Sequence, residues 1–430
     1  MNLQITQKLS VYVKREFKGH IHISSYMTLR LSEDPKVHET FNVFDSLKDR
    51  KNFVIAFSGG KDSTALSILF YEWLLSRNQK GKHVFFVHND TESEFDVLED
   101  YAIKFLHEIC AKINETGNTC IEYVTRPKGN FYWRSIFLGY VASTTNFRWC
   151  IYDLKVSPNK RSLKNLIKKY GDLVLFTGHR EDESIARKIS IQRNSCGLGT
   201  VDCASAFYLK VFMKGVTKVA PIKKWNLEDV WKYLRSKKEE FNIDTLFDVM
   251  YKNASSRWGC WHCTVVKIQK SVYNLDEYYF PLEALRILYR TISDLERFRL
   301  RKDWGYSKLG ALTPKGRAIL MYGTKIVENM GIKLYGLDFK VEGTHNLREI
   351  MFELDEDIAD KEVMIIAKEL KSRVNRIVPI GVLRSQRMTK ADEEMILQTA
   401  ENNVALNVLR IHSSRDHFRD LVHSIREMMS

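Results

Sequence analysis

The six residues Ser58-Gly59-Gly60-Lys61-Asp62-Ser63 carry the clearest chemical signal in the chain. They follow the apolar run 53–57 and precede a segment in which Leu66, Leu69, Phe70, Trp73 and Leu74 recur at helical spacing. A strand that ends in two glycines lets its backbone come close to an anion. The helix that follows aims free N–H groups and its positive dipole end at the same point. Ser58 and Ser63 add hydroxyl donors, and Lys61 adds a mobile charge suited to phosphate oxygens. The spacing excludes a Walker A loop, which separates its glycines by four residues and ends in Lys-Ser or Lys-Thr.

A second constellation starts after the apolar run 173–176. In residues 177–187, Arg180, Glu183, Ser184 and Arg187 open a helix at the carboxyl end of another strand. Two arginines there suit phosphate oxygens, and Glu183 suits the orientation of one of them. The turn Asn89-Asp90-Thr91 falls at a third strand end.

The cysteines form a third group. Cys260-Trp261-His262-Cys263 places two sulfurs so that both can face one metal, and Cys150 supplies a distant third. Three thiolates suit a [4Fe–4S] cluster with one iron open. A tetrahedral zinc, a redox dithiol and plain core cysteines are the other readings. Cys196 and Cys203 are possible fourth ligands, Cys110 reads as core, and Cys120 has no assigned role. Seven cysteines in a chain with no signal-peptide pattern at its start read as ligands, nucleophiles or core residues rather than a disulfide framework.

The elements that must position these groups alternate. Apolar runs at 53–57, 84–87, 121–124 and 173–176 read as buried parallel strands separated by helix-period segments. That pattern predicts an α/β fold, a doubly wound parallel sheet whose ligands sit at the strands' carboxyl ends. The expected organisation is an N-terminal extension at 1–50, a nucleotide domain at 51–235, a helical cysteine-bearing region at 236–330 and a small C-terminal α/β unit at 331–430. In that last unit strands are expected near 377–383 and 404–411. No apolar run reaches membrane-spanning length, so a cytoplasmic protein is expected.

The net charge is +14. Residues 331–430 hold 15 basic against 17 acidic side chains, so the whole excess lies upstream. A polyanionic partner fits such a distribution. Arg161, Lys164 and Lys168 mark one basic helical face, and Arg286, Arg290, Arg297, Arg299, Arg301 and Lys302 mark a second cluster.

These motifs, with Ala220-Pro221-Ile222-Lys223-Lys224-Trp225 ahead of Asp229-Val230-Trp231, resemble the phosphoadenosine-phosphosulfate (PAPS) reductase-like branch of the ATP pyrophosphatase superfamily over roughly residues 50–320. The stretch around Arg148-Trp149-Cys150 and that around Cys260 to Cys263 are similar to the DndC family of DNA phosphorothioation sulfurtransferases. The resemblance implies an ATP site of Ser58, Gly59, Gly60, Lys61, Asp62, Ser63, Asn89, Asp90, Arg180, Ser184 and Arg187. Lys61, Asp62, Arg180 and Glu183 would be catalytic, with Lys61 on the β- and γ-phosphates and Asp62 holding Mg²⁺ or ordering the loop. It further implies a [4Fe–4S] cluster on Cys150, Cys260 and Cys263, DNA as partner, a cysteine desulfurase as sulfur donor, and other DNA-modification proteins. A PAPS or APS reductase and an RNA thiolase are the competing readings. The reductases need a nucleophilic cysteine in a C-terminal tail, and no cysteine follows Cys263.

Overall fold

The computed structural model describes residues 34–194, 207–209, 213–252, 258–266, 277–302, 309–402 and 412–430, with Gln269, Val272 and Leu275 between them. Strands β1 (Asn52–Phe57), β2 (His83–Asn89), β3 (Thr119–Thr125), β4 (Leu173–Thr177), β5 (Tyr208–Leu209) and β6 (Val216–Val219) form one sheet in the order β3-β2-β1-β4-β6-β5. Five of the six run parallel, and the short β5 pairs antiparallel with β6. This is the doubly wound α/β sheet expected from the sequence.

Alternation along β1 explains the two-sided core. Phe53, Ile55 and Phe57 join Phe86 and Phe176 in the larger apolar cluster. Val54 points the other way, against Phe85, Val87, Leu173 and Leu175. A strand buried on both faces has to be apolar at every position, which is why 53–57 reads as an unbroken run. Helices α1 (Pro35–Asp45), α2 (Lys61–Ser76) and α3 (Asp96–Glu115) contribute to the larger cluster, and α4 (Ser157–Tyr170) closes the smaller one with Leu163 and Leu166. Helix α1 lies within the segment expected as an extension. Asp34 caps it, and its Phe44 is fully buried against Phe70, Trp73 and Phe176.

From β1 the chain builds outward through β2 to β3, then returns to lay β4 on the opposite side of β1. The reversal between β1 and β4 is the switch point of the sheet, where loops diverge and leave a crevice. It sets the loop after β1 beside the loop after β4.

The remaining helices are α5 (Ile185–Asn194), α6 (Leu227–Lys237), α7 (Phe280–Asp294), α8 (Pro314–Asn329), α9 (Glu356–Glu369), α10 (Ile380–Arg384), α11 (Lys390–Glu401) and α12 (His412–Met428), with a two-stranded ribbon of β7 (Arg299–Arg301) and β8 (Leu309–Leu312). The strand expected near 377–383 does not form. Pro379 starts a short helix there, and Ile380 and Leu383 turn one face into the core. The strand expected over 404–411 lies outside the described residues. The described part of 331–430 is therefore helical, and its apolar residues, Phe418 and Leu421 among them, belong to the same cluster as the sheet.

A second correction concerns the cysteines. Cys110 and Cys120 form a disulfide with Cα atoms 5.2 Å apart. Helix α3 folds straight back onto β3 through the turn at 116–118, so a residue one turn from the helix end lies over the first strand residues. A spacing of ten across a helix–turn–strand corner leaves no linear pattern to read.

Candidate functional site

The loop between β1 and α2 owes its shape to two glycines. Gly59 has φ +70°, a left-handed conformation that side chains disfavour, and a Cβ there would lie 3.1 Å from that of Ala102. Gly178 is needed for a different reason. A Cβ at that position would come within 3.1 Å of the Asp62 carbonyl, so the loop after β4 packs directly on the first turn of α2. Ser63 orders the loop from within: its Oγ accepts from the Ser58 N–H at 3.2 Å and donates to the Gly60 carbonyl at 2.9 Å. Gly60 offers α2 no side-chain cap, so the N–H groups of its first turn are left for a ligand. The Tyr251 hydroxyl takes one of them, the Lys61 N–H. Lys61 Nζ lies 5.1 Å from the centre of the Tyr251 ring.

A cleft of about 390 Å³ opens over this loop. Of the residues marked in the sequence, Ser58, Gly59, Gly60, Lys61, Asp62, Asn89 and Glu183 line it. Ser63 sits behind the loop and serves it rather than the cleft. Arg180 does not line the cleft. Its side chain is buried behind Asp62, donating through Nε to Oδ1 at 2.6 Å. Asp90 also faces away, accepting from Arg126 Nε at 2.8 Å and from the Glu92 N–H. Ser184 holds extended backbone directly before α5, and the Arg187 side chain lies outside the described residues.

The cleft holds residues that motif reading passed over. Asn89 Nδ2 donates to the Leu154 carbonyl at 2.9 Å, which leaves its Oδ1 buried without a partner. Asn159 Oδ1, on the first turn of α4, is likewise buried and unpaired. Both residues line the cleft, and two buried acceptors without donors fit a ligand that brings N–H or O–H groups. Glu94 and Lys155 line the same cleft and pair at 3.4 Å. Burial works to raise the Glu94 carboxyl, but Lys155 and hydrogen bonds from Thr91 and Cys260 outweigh it and hold it below its ordinary value. The only available sequence signal was the four-residue step from Lys155 to Asn159, which puts both on one side of a helical segment.

His88 is buried at the cleft floor, its Nε2 3.0 Å from Glu99 Oε1. Burial alone would lower its pKa, yet Glu99 and the Phe57 carbonyl raise it.

Cys150, Cys260 and Cys263 all carry free thiols. Cys263 interacts electrostatically with each of the other two, so the three share one neighbourhood. Among the described residues no group of three His, Cys, Asp or Glu side chains is set to hold a metal ion. A cluster meets each sulfur at a different iron corner, so it needs three free thiols nearby rather than a single convergence point. The donor chemistry fits that requirement. Cys260 lies against the cleft: its sulfur is 3.5 Å from Thr91 Oγ1 and 3.4 Å from Glu94 Oε1. Burial, then Glu94, pushes its thiol up to about 12, while Lys155 pulls the other way. Cys150 accepts a hydrogen bond from Ser143 Oγ at 3.1 Å. Cys196 and Cys203 lie outside the described residues.

Residues 52–266, the sheet together with the CxxC segment, match the phosphoadenosine phosphosulfate reductase domain. The chain belongs to that family. A curated relative in Methanocaldococcus jannaschii, itself described as uncharacterised, is 27% identical over 238 residues, 53% of this chain and 38% of the relative. The chain thus spans well under half of that relative's length. Among solved structures, the PAPS reductase of Candida auris in its phosphate complex is 15% identical, covering 58% of this chain and 99% of that one, with a TM-score of 0.32. The U34-tRNA thiolase NcsA of Methanococcus maripaludis with its [4Fe-4S] cluster is also 15% identical, covering 51% and 72%, with a TM-score of 0.30. Membership in the PAPS reductase family accounts for the loop and the sheet. No described helix is long and apolar enough to cross a membrane.

Proposed function

We propose that the protein is an ATP-dependent sulfurtransferase that adenylates a DNA backbone phosphate and replaces a non-bridging oxygen with sulfur. The observation that carries this reading is the position of Cys260, whose sulfur touches Thr91 and Glu94 while Glu94 lines the nucleotide cleft. A site for activating a phosphate and a site for holding sulfur share one wall.

The chemistry follows from what each group can do. The open N-terminal turn of α2, Ser58 and Lys61 bind the β- and γ-phosphates and stabilise pyrophosphate as it leaves, and a Mg²⁺ ion held near Asp62 would offset the charge that develops on it. A DNA phosphate oxygen attacks the α-phosphorus, pyrophosphate departs, and the oxygen is now bonded to AMP. A hydrosulfide equivalent then attacks the DNA phosphorus. The P–O bond to AMP breaks, AMP leaves with that oxygen, and the sulfur loses its proton, so no net oxidation or reduction occurs. Asp62 and Arg180 keep the loop in place, and Lys155 sets a positive charge beside both cleft and thiol. A [4Fe–4S] cluster on Cys150, Cys260 and Cys263 would supply an iron able to take sulfur as a ligand.

The test measures AMP and pyrophosphate formed from ATP with DNA, with RNA, and with PAPS in their place, followed by mass spectrometry of the digested nucleic acid. DNA-stimulated pyrophosphate release with a phosphorothioate-linked dinucleotide supports the proposal. Sulfite released from PAPS without any nucleic acid overturns it in favour of sulfonucleotide reduction, and a thionucleoside in RNA overturns the DNA assignment alone. Anaerobically purified protein is expected to carry iron and visible absorbance that a Cys150→Ser/Cys260→Ser/Cys263→Ser variant lacks.

A further inference from the structure

The loop Asn89–Phe95 has a second side. On one side Asn89 and Glu94 line the nucleotide cleft. On the other, Glu92 lines a groove of about 650 Å³ that also contains Arg126, Lys128, Arg161 and Lys340. The cations come from three separate stretches: the segment after β3, helix α4, and the irregular region after α8. Their convergence is a product of the fold and is invisible in any one stretch of sequence.

The two groove lysines differ in state from the other basic cluster. Arg286 is buried in a pair with Glu283, Arg290 binds Asp294, Arg297 binds the fully buried Asp392, and Arg299 donates to backbone carbonyls. Those arginines are spent on the fold. In the groove, Lys128 and Lys340 are exposed and form no ion pair among the described residues. Arg126 is 63% exposed and pairs with Asp90 through Nε, while Arg161 braces the Arg126 carbonyl. Asp338 and Glu92 are the acidic members, and burial with the Asp90 charge pushes the Glu92 carboxyl up to about 7, which reduces the opposing charge near neutrality.

Two aromatic side chains, Tyr123 and Phe339, stand among these cations. Positive charge that follows a backbone, with flat rings for bases to stack on, is the combination that holds single strands without reading their sequence. A cavity of this size takes a short stretch of single strand.

We propose that this groove holds a single-stranded segment of the nucleic-acid substrate and leads it past the Asn89–Phe95 loop to the cleft. The assignment rests on the nucleic-acid reading given above and adds where the strand lies. The loop is the shared wall: Arg126 is held by Asp90 on the groove side, and Thr91 contacts Cys260 on the other.

The test is fluorescence anisotropy with labelled single-stranded DNA and RNA of one sequence, using the full chain and a Lys128→Glu/Lys340→Glu variant. Both lysines are exposed and outside the ATP site, so the variant should melt and bind ATP as the parent does. The proposal expects at least tenfold weaker binding and a salt slope shallower by ~1.4, the loss of two single-strand phosphate contacts. A parent that binds either strand, with a variant within twofold of it, overturns the groove while leaving the nucleic-acid reading standing. A parent that binds neither strand overturns both. Tighter binding of RNA than DNA supports the groove and moves the substrate to RNA.

Discussion

Arg180 donates through Nε to Asp62 Oδ1 at 2.6 Å, and its side chain is 2% exposed. The contact joins the loop after β4 to the first turn of α2 across the switch point of the sheet, where Gly178 already brings the two backbones together. Asp62 Oδ2 also lies 3.2 Å from Lys61 Nζ, so one carboxylate ties a buried guanidinium to a cleft lysine. Removing Arg180 would leave Asp62 without its main partner and open a hole behind the loop. Arg180→Ala is expected to cost about 2–4 kcal/mol in urea unfolding, below the upper range for buried pairs because Asp62 is 21% exposed. Arg180→Lys should recover only part of that, since an ammonium cannot reproduce the fork that also reaches the Trp225 carbonyl. Stability equal to the parent's in the alanine variant would contradict the bracing role.

Lys61 has a different task. Its ammonium sits on the cleft wall beside Asp62 and over the Tyr251 ring, free to move onto phosphate oxygens. Lys61→Ala should reduce pyrophosphate release by about 100-fold, the scale of losing one preorganised charge donor at a transition state. Its stability should change little, because Asp62 keeps Arg180 as its main partner. A rate within threefold of the parent would show that Lys61 does not act on the phosphates.

How much of this was legible depends on whether the signal was local. The sheet was readable because parallel strands buried on both faces must be apolar throughout, as 53–57 and 173–176 are. The loop was readable because left-handed backbone at Gly59 and an open helix end leave a local pattern. The sequence alone points Arg180 at phosphate because a strand-end arginine gives no sign of which way it turns; Asp62 turns it inward. Asn89 was marked by its place at a strand end, whereas Asn159, Tyr251 and Lys155 enter the cleft only through tertiary packing. The strand expected near 377–383 shows the ambiguity of a short apolar run, which suits a buried helical turn equally well.

On the proposed function, the unpaired Oδ1 atoms of Asn89 and Asn159 would accept from donors of a nucleotide bound in the cleft. Adenine offers an exocyclic amine and hypoxanthine a carbonyl at the same position. Binding of ATP is therefore expected to exceed that of ITP by roughly tenfold, about one hydrogen bond's worth against an unsatisfied acceptor pair. Asn159→Leu should narrow the gap by weakening ATP more than ITP. Equal affinities in the parent, measured by calorimetry, would assign the two acceptors to water or ribose instead.

The Cys110–Cys120 bond closes a short loop between α3 and β3. Cross-linking restricts the unfolded chain, by about 2–3 kcal/mol for a loop of this length. A Cys110→Ser/Cys120→Ser variant should unfold at lower urea by that amount under non-reducing conditions, and the difference should vanish once the parent is reduced. Nucleotide binding should survive, since neither residue lines the cleft.

Glu92 makes stability depend on pH. Burial and the Asp90 charge push its carboxyl up to about 7, against the opposing pull of Asn130 and Arg126. A group whose folded pKa exceeds its unfolded value favours the fold while it stays protonated. Its contribution is thus complete below about pH 4.5, the unfolded value, and is lost as pH rises through about 7. Glu92→Gln copies the protonated form and keeps an oxygen for the Asn130 amide, which lies 3.0 Å from Glu92 Oε2. Between pH 5 and pH 8 the parent should lose about 2–3 kcal/mol relative to the variant, since each tenfold difference in proton affinity between folded and unfolded chain is worth about 1.4 kcal/mol. Urea unfolding of both proteins at the two pH values decides it. Parallel curves would mean that Arg126 holds Glu92 ionised in the fold, and the groove beside the cleft would then carry one more negative charge at neutral pH.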